Sequence, residues 1–184
     1  MKMKPLLIII SGAPGSGKST FARNLAEHMR LLCVERDLAF DGMRHTFAPE
    51  PFDRQKDGLT RFYGFIEAGL KLQIGMVVDG TLYRGKSEHF ITPLAEFATV
   101  INVHTRATNE RQRFYDREVA KTQGKETEWL KGHMAVIDEI YQLVVDPLEL
   151  GCPVIEVATT DDYQPSLEKV AEEIMRLVAV HSAE

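Results

Sequence analysis

Residues 6–19 read Leu-Leu-Ile-Ile-Ile-Ser-Gly-Ala-Pro-Gly-Ser-Gly-Lys-Ser. The opening apolar run, Leu6 to Ile10, has the continuous pattern of a strand covered on both faces of a parallel sheet. It leads straight into Gly12-Ala13-Pro14-Gly15-Ser16-Gly17-Lys18-Ser19, the spacing of two glycines, a lysine and a serine that cradles nucleotide phosphates. Glycines there admit backbone angles closed to other residues, so successive amide N–H groups can point at anionic oxygens. A helix is expected to begin near Lys18, because Phe21, Ala22, Leu25, Ala26 and Met29 recur at helical spacing. Its unpaired N–H groups and positive dipole end add to the same anion site. Lys18 is then placed to reach the β- and γ-phosphates and Ser19 to ligate Mg²⁺. Residues Gly12 to Ser19, with Thr20, are the candidate ATP-binding set.

Outward from this segment the apolar pattern alternates between strand and helix periods, with no internal repeat. Further strands are expected at Leu31 to Glu35, Met76 to Asp79, Thr99 to His104 and Val154 to Ala158. Between them lie helical patterns: Phe62 to Ile74, ended by Gly75; Leu130, Met134, Ile137, Tyr141 and Val144; and a last stripe from Leu167 to Val178 after Pro165. The stretch Asp41 to Asp57, with two prolines and mixed charges, reads as irregular. Alternating strands and helices predict an α/β fold with an open parallel sheet, whose ligands sit outside the carboxyl ends of the strands.

With 184 residues, 44% of them hydrophobic, the chain fits a single domain, 1–184, with an ample core. A formal charge of -5 gives no electrostatic footprint for a nucleic-acid coat or an anionic membrane. No stretch approaches the length of a membrane span, and the N-terminal apolar run is too short for a signal peptide, so a cytoplasmic location is expected. Cys33 and Cys152 adjoin apolar runs and are read as reduced core thiols.

The strand ends carry the remaining chemistry. Asp79 closes the third strand, where a carboxylate would face Mg²⁺ directly or through water. After the second strand come Arg36 and Asp37, with Asp41 and Arg44 beyond. A carboxylate here can take the proton of an attacking hydroxyl, and an arginine can hold a substrate or phosphate oxygen. Asp37 also suits a helix cap. Thr81, Arg84 and Lys86 are candidates to line an acceptor pocket, and His45 lies beside Arg44.

The glycine loop, the Glu35-Arg36-Asp37 segment and Val77-Val78-Asp79-Gly80-Thr81 resemble the small P-loop kinases related to polynucleotide 5′-hydroxyl kinase, chloramphenicol phosphotransferase, adenylylsulfate kinase and zeta toxins. The resemblance implies a three-layer P-loop fold, its five parallel strands in the order 2-3-1-4-5, with a small lid over about 106–128. It also implies a general base just beyond the second strand, by position Asp37, with Asp41 in reserve. Lid arginines that clamp the transferring phosphates are implied too; the spacing of Arg113 and Arg117 looks like that pair, with Arg111 beside it. Positive charge there would offset charge on the phosphoryl oxygens. The alternative for these arginines is a solvated face paired with Glu110, Asp116 and Glu118. The resemblance sets backbone groups of Ile155 to Thr160 against the adenine ring.

The expected activity is transfer of the ATP γ-phosphate to a hydroxyl of a small molecule or nucleotide. The catalytic residues would be Lys18, Asp37, Arg113 and Arg117, the substrate residues Asp37, Arg44, Thr81 and Arg84, and the metal residues Ser19 and Asp79. A nucleic-acid 5′ end fits an acidic chain less well. The competing expectation is a regulatory ATPase or nucleotide switch that phosphorylates nothing.

Overall fold

A computed structural model of the chain describes residues 4–47, 57–123 and 127–181. Five parallel strands, β1 (Leu6–Ser11), β2 (Leu32–Glu35), β3 (Met76–Asp79), β4 (Thr99–Arg106) and β5 (Val154–Ala158), lie in the order β2-β3-β1-β4-β5. The expected strands and their order are therefore observed. β1 is central because its five apolar residues are the best able to lose water on both faces. Leu7 to Ile10 are all fully buried, with Ile8 paired to Val77 on one side and to Ile101 on the other.

Alternation along β1 sends Leu7 and Ile9 to one face and Ile8 and Ile10 to the other. On the second face pack α1 (Lys18–Met29), through Phe21, Ala22 and Leu25, and α7 (Leu167–His181), through Val170 and Ile174. The first face is covered by α3 (Leu59–Lys71), through Phe62, Ile66 and Leu70, with Ile91 of the short α4 (Glu88–Ile91). Truncating one of these buried aliphatics costs roughly 2–5 kcal/mol. That is a large share of the about 5–15 kcal/mol that holds a domain together, so the three layers stand or fall as a unit.

A separate small cluster of Phe114, Leu130, Met134 and Ile137 joins α5 (Glu110–Lys121) to α6 (Glu128–Ile140) beyond the end of β4. Of this pair α5 falls within 106–128, the span expected for a lid, and α6 runs on from its end. Thr127 caps α6 by accepting from the Leu130 amide at 3.1 Å.

One expectation is corrected here. The irregular reading of Asp41 to Asp57 fails over its first part, because α2 runs Arg36–Phe47 directly off the end of β2. Phe40 is buried in the core, with Ala39 and Met43 packed beside it, and this inward stripe supports a helix that Gly42 and the mixed charges had obscured. Residues 48–56 lie outside the described residues. The third helix also begins earlier than read, at Leu59 in place of Phe62, and ends at Lys71 with Leu72 as its cap.

Cys33 lies on β2 and Cys152 just before β5, at opposite edges of the sheet, and both are free. Burial pushes the Cys33 thiol up to about 11, so it is a poor nucleophile. Under non-reducing conditions the intact mass should show no intramolecular bridge, and a bridge found there would contradict the strand order.

Candidate active site

The phosphate loop is built by packing against neighbouring strand ends. Gly15 has φ 88°, and a Cβ on it would collide with the carbonyl of Glu110 at the start of α5, so only glycine fits. Ser16 is held from two sides: its hydroxyl lies 2.8 Å from that of Thr105, and its carbonyl accepts from Thr159 Oγ1 at 2.7 Å. Thr105 in turn donates to the Ser11 carbonyl at 3.2 Å. Thr105 and the Thr159 side chain were not anticipated as site residues. The signal was available, since each ends a strand on the side of β1 where the loop must be braced.

At the loop's far end Lys18 is buried, its Nζ donating to the Ala13 carbonyl at 3.0 Å. The Ser19 hydroxyl donates to Asp79 Oδ2 at 2.6 Å, joining α1 to the end of β3. Asp79 is buried, and its second oxygen, Oδ1, has no hydrogen-bond partner. Burial pushes this carboxyl above its usual range, against the pull of the Ser19 hydroxyl and the Lys18 ammonium. A buried carboxylate oxygen without a partner is costly. Beside a hydroxyl and a phosphate cradle, it fits a hard divalent cation that keeps most of its waters, as Mg²⁺ does.

Asp37 sits in the first turn of α2 with an exposed carboxylate, close enough to Lys18 and Asp79 to perturb both. Asp41 lies one turn further along, also exposed. Arg44 is carried by the same helix, but its side chain lies outside what the structure describes. Arg36 was noted in the sequence only for its residue type. Its guanidinium donates to the Thr81 carbonyl, lies 5.8 Å over the Phe40 ring, and acts electrostatically on Lys18.

The arginines of α5 divide by partner. Arg113 donates to the Thr159 carbonyl at 2.9 Å and to the Thr160 carbonyl, so it ties α5 to the end of β5. Arg117 is exposed, lies 5.1 Å over the Phe114 ring, donates to Glu118 at 3.2 Å, and is near enough to Lys18 to lower its pKa. Arg111 forms a two-pronged pair with Asp138 of α6 at 2.7 and 2.8 Å, across the exposed surface of the helix pair. Arg84 is engaged by Asp146 at 3.3 Å and by Glu149, 60 residues and more away in sequence. Thr81 stays beside Arg36, and Lys86 is exposed.

Burial lowers the Lys18 amine from 10.5 to about 8; Asp79 opposes this, while Arg117 and Arg36 add to it. A triphosphate favours the ammonium and raises that pKa, so nucleotide binding should take up a proton above pH 8. The sign follows: affinity is full below pH 8 and falls as pH rises through it, by up to about tenfold per unit. Calorimetry in two buffers of different ionisation enthalpy at pH 8.5 measures the uptake. A flat affinity from pH 7 to 9.5 with no uptake would show that the free Lys18 amine keeps its charge through that range, against the lowering that its burial implies.

A parallel sheet in this order, with a glycine loop between its central strand and the first helix, defines a P-loop nucleotide-binding protein. The family model described as an AAA domain matches residues 7–135, and the chain belongs to that family, among the small P-loop kinases. Solved structures share the fold at low identity. A protein of Chloroflexus aurantiacus J-10-fl, named a "putative kinase", matches with 18% identity and TM-score 0.73 over 98% of this chain and 99% of its own. A gluconokinase from Sinorhizobium meliloti 1021 matches with 16% identity and TM-score 0.57, over 97% and 94%. A chain of the Pnkp1/Rnl/Hen1 RNA repair complex matches with 22% identity and TM-score 0.54, over 82% of this chain and 50% of that one. No curated protein matches in sequence.

Proposed function

We propose that this chain is an ATP-dependent phosphotransferase whose acceptor is a hydroxyl group on a small molecule or nucleotide, working in the cytoplasm with Mg²⁺. The single observation that carries the reading is the place of Asp37. It is an exposed carboxylate in the first turn of α2, directly off the end of β2 and within electrostatic range of both Lys18 and Asp79. A switch needs no base there, whereas an acceptor hydroxyl does.

In the proposed reaction the phosphate-loop amides and Lys18 hold the triphosphate, and Arg117 swings in from α5 to meet charge on the γ-phosphoryl oxygens. Asp37 accepts the proton as the acceptor oxygen bonds to the γ-phosphorus and the bond to ADP breaks. Ser19 and Asp79 would hold Mg²⁺, which would neutralise phosphate charge. Arg113 keeps the end of β5 in place as the wall for the base. One neighbour in fold is named a gluconokinase, which supports a hydroxyl acceptor, and another belongs to an RNA repair complex. The net charge of -5 favours a small acceptor over a polynucleotide 5′ end.

The test is ADP release with Mg²⁺ and ATP across a panel of hydroxyl compounds, beside a control without acceptor. Stimulation by at least one compound, with the phosphorylated product found by mass spectrometry, is expected. ADP release that no compound raises above the control would favour the ATPase or switch.

A further inference from the structure

Three buried polar atoms without hydrogen-bond partners belong to side chains that share one neighbourhood, the first of them next to Asp37 in the chain: Arg36 Nε, Tyr63 Oη and Glu88 Oε2. They come from three elements, α2, α3 and α4. Arg36 is anchored through its other nitrogens, to the Thr81 carbonyl and, at 3.9 Å, toward Asp37. Tyr63 is 5% exposed; its ring stacks on Phe90 at 5.0 Å and meets Phe62 edge-on at 5.3 Å. Glu88 uses its other oxygen to accept from the Glu149 amide at 3.2 Å. Arg36 and Glu88 both act on the Tyr63 phenol, with opposite signs, so the three groups share one neighbourhood; burial, the largest influence, pushes that phenol up to about 12.

An unpaired buried polar atom costs about 1–3 kcal/mol, and native structures keep few of them. Three together, one of them on the arginine that reaches toward the proposed base, have a common explanation if a ligand satisfies them. Their chemistry says which. Arg36 Nε can only donate, Glu88 Oε2 as a carboxylate can only accept, and the Tyr63 hydroxyl can do either. An anionic ligand would meet Glu88 with repulsion, and a cationic one would meet Arg36. Neighbouring hydroxyls on an uncharged carbon frame each donate and accept, and so match all three.

We infer that Arg36, Tyr63 and Glu88 form the acceptor subsite, and that it takes a neutral compound bearing several hydroxyl groups, one of which is turned toward Asp37. This rests on the phosphotransferase reading for the role of Asp37, but binding of the polyol does not require transfer. Tyr63→Phe and Glu88→Met each remove one polar partner and keep much of the shape.

The experiment has two arms. In the first, ADP release is followed with glycerol, ribitol, myo-inositol and glucose, against glycerate, ethanolamine and a 5′-hydroxyl oligonucleotide. The neutral polyols should stimulate most. For the best of them each variant should raise KM by roughly tenfold, the loss of one hydrogen bond, with the KM for ATP unchanged. In the second arm, ligand-observed NMR measures binding of the same polyols to the protein with Mg²⁺ and a non-hydrolysable ATP analogue, and thermal melting checks that the variants are folded. Polyol binding that both variants weaken, without any transfer, keeps the subsite and removes only the kinase reading. Stimulation and binding confined to charged compounds, or polyol KM and binding that folded variants leave untouched, overturns the inference.

Discussion

Lys18→Ala should weaken ATP binding by roughly a hundredfold or more, the largest effect of any single change considered. The ammonium is a buried donor whose only hydrogen bond among the described contacts is to the Ala13 carbonyl of its own loop. Charge-assisted bonds to phosphate contribute about 1.5–3 kcal/mol each, and two of them account for that loss. The fold should survive, because burial already opposes the charged amine and none of the apolar clusters includes it. Titration calorimetry with ATP, beside a thermal melt, measures both. Unchanged affinity in a folded variant would leave the phosphate-loop reading without foundation.

Asp37→Asn should lower turnover by roughly a hundredfold while ATP affinity stays within a factor of about two. Asparagine keeps the size of the side chain and much of its hydrogen bonding, and loses the proton acceptor. It also caps a helix as well as aspartate does. If the carboxylate serves only the start of α2, the variant should therefore work almost normally. Asp41→Asn, one turn along the same helix, is the matched control. Loss on changing Asp41 alone would move the base by one turn, and no loss in either variant would point to the switch.

The strands were legible because four of the five are nearly unbroken apolar runs, and their ends were legible because catalytic residue types stand there. Gly12 to Ser19 identifies itself by spacing, and Asp79 follows from it as the polar end of a buried strand. What escaped reading depends on partners distant in sequence. Nothing local in Arg113 says that it will hold the carbonyls of Thr159 and Thr160, since carbonyls carry no side-chain signature. Arg84 gives no local sign of Asp146 and Glu149. Helix α2 was half missed because three inward residues, Ala39, Phe40 and Met43, are too few to outweigh Gly42 and the flanking charges until α3 is seen to cover them. Tyr63 reads as an ordinary helix residue, and Glu88 carries no signal in the sequence, until the fold brings them into one neighbourhood with Arg36.

Between the edge strand β2 and its neighbour β3, the chain makes one continuous excursion through α2 and α3, carrying Arg36, Asp37 and Tyr63. The phosphate loop, Asp79 and α5 all lie outside it. Because β2 and β3 run side by side, from Leu32 against Met76 to Glu35 against Asp79, the excursion leaves and rejoins the sheet at adjacent strands. It can therefore be transplanted as a block without cutting the nucleotide site. On the subsite inferred above, recombination over 36–75 would move acceptor preference between related enzymes in one step, with positions 81, 88 and 90, which meet Arg36 and Tyr63 from outside the block, to be exchanged alongside. Diversification by such grafts would leave the ATP machinery alike in proteins that phosphorylate unrelated compounds.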